Sequence, residues 1–264
     1  MNSHDIDFIR LCAGLFFVAL SMAASLFFSL RLEKDLLIGT LRTFVQLFIM
    51  GYVLSIVFAL DLEWLVVVCF LFMTVFAAWI IRDRVKEREI PYLLPTLILM
   101  AAAYLLVTAF VSGFIVGADP WWSPRYFITL GGMIIGNSTT AIAIALERLF
   151  SDFRNRRSEV EMMLCLGADY KEASAEIVRN AMRAGMIPTI NSMMGVGIVF
   201  IPGMMTGQIL GGADPALAIR YQIVVMLMLT GSTAIGSLLA TLIARKLSFG
   251  PAHQLLTSPD AGPK

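Results

Sequence analysis

Long apolar stretches alternate with short polar ones along most of this chain. Seven of them, Phe8–Leu30, Leu36–Leu60, Trp64–Ile81, Tyr92–Val116, Tyr126–Leu146, Met186–Leu210 and Tyr221–Ala244, are long enough to cross a hydrocarbon core of about 30 Å as helices. Trp64–Ile81 is the shortest and Leu36–Leu60 the least clean. The pattern predicts an all-α, polytopic membrane protein with seven transmembrane helices. Acidic residues precede the first stretch, and its apolar run is too long for the h-region of a signal peptide, so it is expected to be a retained span. The longest piece between spans, about Glu147 to Gly185, is too small to bury a core of its own. Residues 1–250 therefore read as one membrane domain. The tail at 251–264 reads as disordered.

The piece between the fifth and sixth spans has its own local grammar. Gly167 can end one short helix in the left-handed conformation that suits glycine. Asp169 can N-cap the next helix, and Glu172, three residues on, completes a capping box. The expected product, within about 150–184, is a rigid helix-turn-helix at the membrane surface. The alternative is a generic amphipathic interfacial helix.

Composition agrees with the pattern. Of 264 residues, 58% are hydrophobic and 15% charged, against about 25% charged in soluble domains. Lysine and arginine give the orientation. One set of loops carries 16 of them and the opposite set 3, with Arg42 inside a span. The split predicts an external N-terminus, a cytosolic C-terminus and a cytosolic helix-turn-helix. The net charge of +1 gives no ground for a nucleic-acid partner, because the basic loops are the usual cytosolic bias. Cys12, Cys69 and Cys165 are scattered and odd in number, so no structural disulfide is expected. His4 and His253 sit in the tails, and no His/Cys cluster has metal-ligand spacing.

Four features within the spans are candidates for chemistry. Gly132 and Gly136 form a small-xxx-small pair for close helix contact, followed by Asn137, Ser138, Thr139 and Thr140. Polar groups at that depth either join helices or line a path; the hydroxyls of Thr139 and Thr140 fit the first role, and Asn137 fits the second better. Pro202 can break a helix just before Gly203, Gly207 and Gly211, which clear one face, while Thr206 and Gln208 on the same segment can gate or bind. Arg42 and Gln46 share a helix face, where Arg42 either serves a path or snorkels to the cytosolic interface. The 16 methionines read as adaptable apolar filler, although thioethers also bind soft metals. All 19 Asp and Glu fall in loops or at span ends, so none lies deep in the bilayer as a proton relay. There is no G-x-x-x-x-G-K-[ST] loop for ATP either.

The spacing of Glu161, Gly167 and Ile177, with Leu166 and Ala168 beside the glycine, resembles the EAA loop of ABC-transporter permeases. Met162, Met163 and Arg179 depart from that pattern. Arg42-Thr-Phe-Val-Gln46-Leu, Gly132-Met-Ile-Ile-Gly136-Asn137-Ser138 and Gly203-Met-Met-Thr206-Gly207-Gln208-Ile-Leu-Gly211-Gly212 resemble the FetB-type iron-export permease family, which is akin to plant membrane subunits of aluminium tolerance. The resemblance covers roughly residues 8–247. It implies a bacterial inner-membrane exporter of two permease chains and two FetA-like ATPase chains, with ATP-Mg held by the partner and no cofactor on this chain. It also implies iron efflux, metal ion homeostasis and oxidative-stress resistance. The residue reading finds no hard-metal ligands in the spans, so iron rests on the resemblance alone. An ATP-independent channel or carrier is the main alternative. An intramembrane enzyme is a third, but Ser138 has no base at depth.

Overall fold

A computed structural model describes residues 8–85, 87, 90–252 and 254–256; His4, Lys86, Arg88 and, in the tail expected to be disordered, His253 and residues 257–264 lie outside the described residues. Among those described, every regular element is helical, and the only β-type pairings are isolated bridges between Val196 and Phe200 and between Phe249 and Leu255. The chain falls into two compact units, Met1–Asp61 and Leu62–Lys264, within the stretch read as one domain.

The first unit holds α1 (Phe8–Ala13), α2 (Leu15–Phe27) and α3 (Glu33–Leu60). The first expected span is thus interrupted at Gly14, whose N–H bonds the Leu11 carbonyl three residues back. Ser25 closes the α2–α3 turn by donating to Glu33 at 2.8 Å and accepting from the Leu32 N–H at 3.0 Å.

The second unit holds α4 (Glu63–Arg84), α5 (Leu93–Phe110, continued by a π-turn over Val111–Ile115), α6 (Pro124–Asn155), α7 (Arg157–Cys165), α8 (Tyr170–Ala173), α9 (Ala175–Gly195), α10 (Gly203–Leu210) and α11 (Pro215–Ser248). Helix α6 is its centre, packing against α4, α5, α9 and α11. Its buried stripe includes Ile134, Ile142, Leu146, Leu149, Phe150 and Phe153. Buried hydroxyls bond carbonyls one turn back, as Thr139 does to Ile135 at 2.6 Å and Thr241 to Ser237 at 2.6 Å. That satisfies polar groups where water is scarce.

Five described helices are long and apolar enough to cross a membrane: α3, α4, α5 with its π-turn, α6 and α11. The sequence-based count of seven is not met as continuous helices. The expected sixth span, Met186–Leu210, is split. Helix α9 starts earlier, at Ala175, and stops at Gly195; Gly197 takes φ +82°, and α10 restarts only after Pro202. The turn satisfies its own backbone, since the Gly195 carbonyl accepts from the N–H groups of Ile198, Val199 and Phe200 at 3.3, 2.8 and 3.4 Å. Hydropathy registers apolarity and not helical continuity, so the break is invisible to a span count. Helix α6 also runs on to Asn155, beyond the Leu146 boundary expected for it.

The glycine contacts differ from those expected. A Cβ on Gly136, Gly203 or Gly207 would meet no atom within 4 Å, and on Gly132 only the flexible end of Met73, at 2.9 Å. Gly211 caps the end of α10. The tight approaches lie elsewhere. A Cβ on Gly185 would stand 2.6 Å from the Ala141 carbonyl oxygen, and one on Gly236 would run into the Tyr104 hydroxyl. Gly185→Ala is therefore expected to force α9 off α6 at a cost of about 1–3 kcal/mol, read as a lowered unfolding midpoint in detergent. An unchanged midpoint would show that the approach is not tight.

Past α11 the chain turns back. Gly250 N–H bonds the Gln254 carbonyl and Leu256 N–H the Ser248 carbonyl, both at 2.9 Å, and Leu255 is buried.

Candidate functional site

The break between α9 and α10 opens one wall of a cleft of about 440 Å³. Helices α6, α9 and α11, the 196–202 turn and the start of α10 line it, and its polar side chains are Asn137, Thr140, Thr189, Ser192 and Gln222. No charged residue lines it. Interrupted helices at membrane depth are tolerated where they line a cavity, and such breaks mark binding sites in many transporters. A second cleft of about 400 Å³ adjoins it, sharing Ile201, Gln222 and Met226.

The expected path residues divide. Asn137 faces the cleft, and its Nδ2 donates to the Met133 carbonyl at 2.9 Å. Thr140, read as packing, lines the cleft one turn on, whereas Thr139 is buried as expected. Ser138 is not on the cleft: it is fully buried, with its Oγ 3.5 Å from Thr233 Oγ1. Its place between α6 and α11 makes it part of the packing. The Thr206 hydroxyl donates to the Pro202 carbonyl at 3.1 Å. Gln208 has a buried Oε1 without a hydrogen-bond partner and does not line the cleft. Arg42 and Gln46 belong to α3 of the first unit, where both are exposed.

Gln222 was not among the expected residues. It is only 5% exposed, lines both clefts, and its Oε1 has no hydrogen-bond partner. An unpaired buried acceptor costs about 1–3 kcal/mol, so its position calls for a function. Its sequence signal was weak, because it follows Tyr221 at the edge of a span and reads as interfacial.

The helix-turn-helix has the local geometry that its residues imply. Gly167 takes φ +97°. Its N–H bonds the Leu164 carbonyl at 3.0 Å and the Ala168 N–H bonds the Met163 carbonyl at 3.1 Å, the paired closure of a Schellman motif. Asp169 Oδ1 accepts from the Glu172 N–H at 2.7 Å, and Glu172 Oε2 accepts from the Asp169 N–H at 3.0 Å. Leu166, 81% exposed, stands at the tip. Glu161 pairs with Arg157 at 2.7 Å. Ile177, the last residue of the Glu161/Gly167/Ile177 spacing, is buried at 2% exposure on the inner face of α9. It anchors the knuckle rather than presenting it. Tyr170 seats the other side, with ring centroids 5.7 Å from Phe249 and the Arg245 guanidinium 5.8 Å above its ring.

Arg156 ties α7 to α9, donating to Glu159 at 2.6 Å and to Glu176 at 3.1 Å. These bonds hold both carboxyls below the usual carboxylate range. A lowered carboxylate pKa stabilises above the unfolded value and is lost as pH falls through the folded one. Amide-exchange protection of α7 is therefore expected to hold at neutral pH and to drop below about pH 4. Arg156→Gln should weaken protection already at neutral pH and remove that step; an identical pH profile would rule the clamp out.

A family model described as "Uncharacterised protein family (UPF0014)" matches residues 8–249. A UPF0014 membrane protein of Synechocystis is 36% identical over 227 residues, covering 86% of this chain and 88% of the relative. The probable iron export permease protein FetB of Escherichia coli is 34% identical over 259 residues, 98% of each chain. Protein ALUMINUM SENSITIVE 3 of Arabidopsis thaliana is 30% identical over 249 residues, covering 94% of this chain and 90% of the relative. These relatives bear out the resemblance read from the motifs. No solved structure matches the chain.

Proposed function

The chain belongs to the UPF0014 family of integral membrane proteins, and we propose that it is the permease subunit of an ABC exporter whose cleft passes a metal ion. The observation that carries this reading is the joining of cleft and knuckle by continuous helices. Helix α11 runs from Gln222 in the cleft to Arg245 over Tyr170, about 35 Å at 1.5 Å per residue. Helix α9 runs from the knuckle to Pro188, Thr189 and Ser192. A push on α7–α8 by a cytosolic ATPase would reach the cleft through rigid elements. The permease named for E. coli, the lack of a phosphate loop and the confinement of every Asp and Glu to loops and span ends favour an ATP-driven partner over a proton-coupled carrier. In this reading the chain is no enzyme, the partner is FetA-like, and iron is the ion carried by analogy with that relative.

The proposed topology keeps seven crossings in the bacterial inner membrane, with the split α9–α10 segment counted as one, the N-terminus outside and the C-terminus cytosolic. It rests on the lysine and arginine bias. Iron-loaded proteoliposomes holding this chain and a FetA-like ATPase test the proposal: ATP-dependent efflux supports it, and equal flux without ATP or partner favours the channel.

Two permease chains are part of the same reading, and the open Gly203/Gly207 face of α10 suits their contact. A Cβ added at position 207 would meet no atom within 4 Å. Gly207→Leu is therefore expected to leave the protomer's unfolding midpoint unchanged while weakening the dimer and transport. An unaltered dimer with full transport would refute the contact.

A further inference from the structure

Helix α11 ends at Ser248, and the chain then folds back on its end. Pro251 cannot extend a helix. The Gly250 N–H bonds the Gln254 carbonyl and the Leu256 N–H bonds the Ser248 carbonyl, both at 2.9 Å. The Gln254 side chain closes the turn by accepting from the Ala252 N–H at 3.0 Å. This hook pairs Phe249 with Leu255 across its two arms and buries both, at 8% and 4% exposure. Centroid to centroid, the Phe249 ring lies 5.6 Å from Phe153 on α6 and 5.7 Å from Tyr170 at the start of α8. The ends of α6 and α11 thus meet the start of α8 at one side chain.

We propose that the hook is a clamp that seats the knuckle for coupling, with Phe249 as the positioning residue and Leu255 as its anchor. The inference rests on the reading of the knuckle as the docking site of an ATPase. Helix α8 has four residues, too few to hold a direction of its own. Its capping box fixes where it starts but not how it lies, so its orientation comes from what its side chains touch. Ala173 and Ser174 are buried at one end. Tyr170 at the other meets the Phe249 ring and the Arg245 guanidinium, both from the end of α11, the helix that lines the cleft. Aromatic pairs at this separation, and a guanidinium over a ring, add directional attraction to apolar contact. A push on the exposed Leu166 tip then reaches α11 through a seated α8. With the hook released, the same push would turn α8 in place.

The test uses the full chain. Leu255→Asp releases the hook, because an ionised carboxylate does not stay in a site 4% exposed. Amide exchange is followed in detergent, and Fe(II)-stimulated ATP hydrolysis in proteoliposomes with a FetA-like ATPase. Residues 166–173 should exchange about ten-fold or more faster, with the protection of α6 and α11 unchanged. Stimulated hydrolysis should fall toward the unstimulated rate while the ATPase stays bound, unlike the loss of binding expected when the docking tip itself is altered. Phe249→Leu, which keeps an apolar side chain but removes the ring, should speed exchange in the same segment. Leu255→Met conserves apolar volume and should behave as the unsubstituted chain. Unchanged exchange at 166–173 in both Leu255→Asp and Phe249→Leu would overturn the clamp. So would full stimulation by a chain whose knuckle exchanges faster, or a loss of protection spread over every helix. No stimulation by the unsubstituted chain would remove the docking reading and the coupling role with it, whereas the exchange result still decides whether the hook seats the knuckle.

Discussion

Valine at position 167 is expected to abolish coupling while leaving the chain folded and inserted. Gly167 holds φ +97°, where a residue with a Cβ pays roughly 1–2 kcal/mol and a β-branched one more. Space is not the obstacle, since an added Cβ there meets nothing within 4 Å. The strain falls on the turn alone. Relieving it rewinds the Schellman closure and shifts the exposed Leu166 and the Asp169 cap together. Substrate-stimulated hydrolysis by a co-reconstituted ATPase should then fall to the unstimulated rate, with helix content unchanged. Gly167→Asn, which tolerates the left-handed conformation, should keep part of the coupling. Full stimulation of the valine variant would mean that the knuckle does not dock.

Gln222→Leu should separate stability from transport. Leucine removes a buried acceptor that has no partner, so the unfolding midpoint should hold or rise, by up to about 1–3 kcal/mol of stability. Transport should fall about ten-fold or more, because the cleft loses its most buried polar group. A parallel loss of stability and transport would mark Gln222 as structural, and unaltered transport would take it off the path. Asn137→Ala should cost on the order of 1 kcal/mol or less and lower transport as well.

The two halves of the candidate site differed in how legible they were. The knuckle could be read because its signals are local: Gly167, Asp169 and Glu172 specify a helix stop, an N-cap and a capping box within a few residues. The cleft could not, because Asn137 and Gln222 are far apart in the chain and meet only through the packing of α6 against α11. Ser138 beside Asn137 carries a similar polarity but points the other way, and only the helix register separates them. Pro202 signalled a break, yet the apolarity of its flanks hid how much of the sixth span unwinds. A small-xxx-small pattern records where a neighbour can approach; within this chain close approaches come at Gly185 and Gly236, and the Gly203/Gly207 face is left open.

Affinity purification from native membranes in mild detergent will show whether a cytosolic ATPase drives this chain through its knuckle. A P-loop ATPase is expected in equal amount with the intact chain, and its loss with Gly167→Val. A chain that purifies alone, or that retains the ATPase equally with valine at 167, would contradict it.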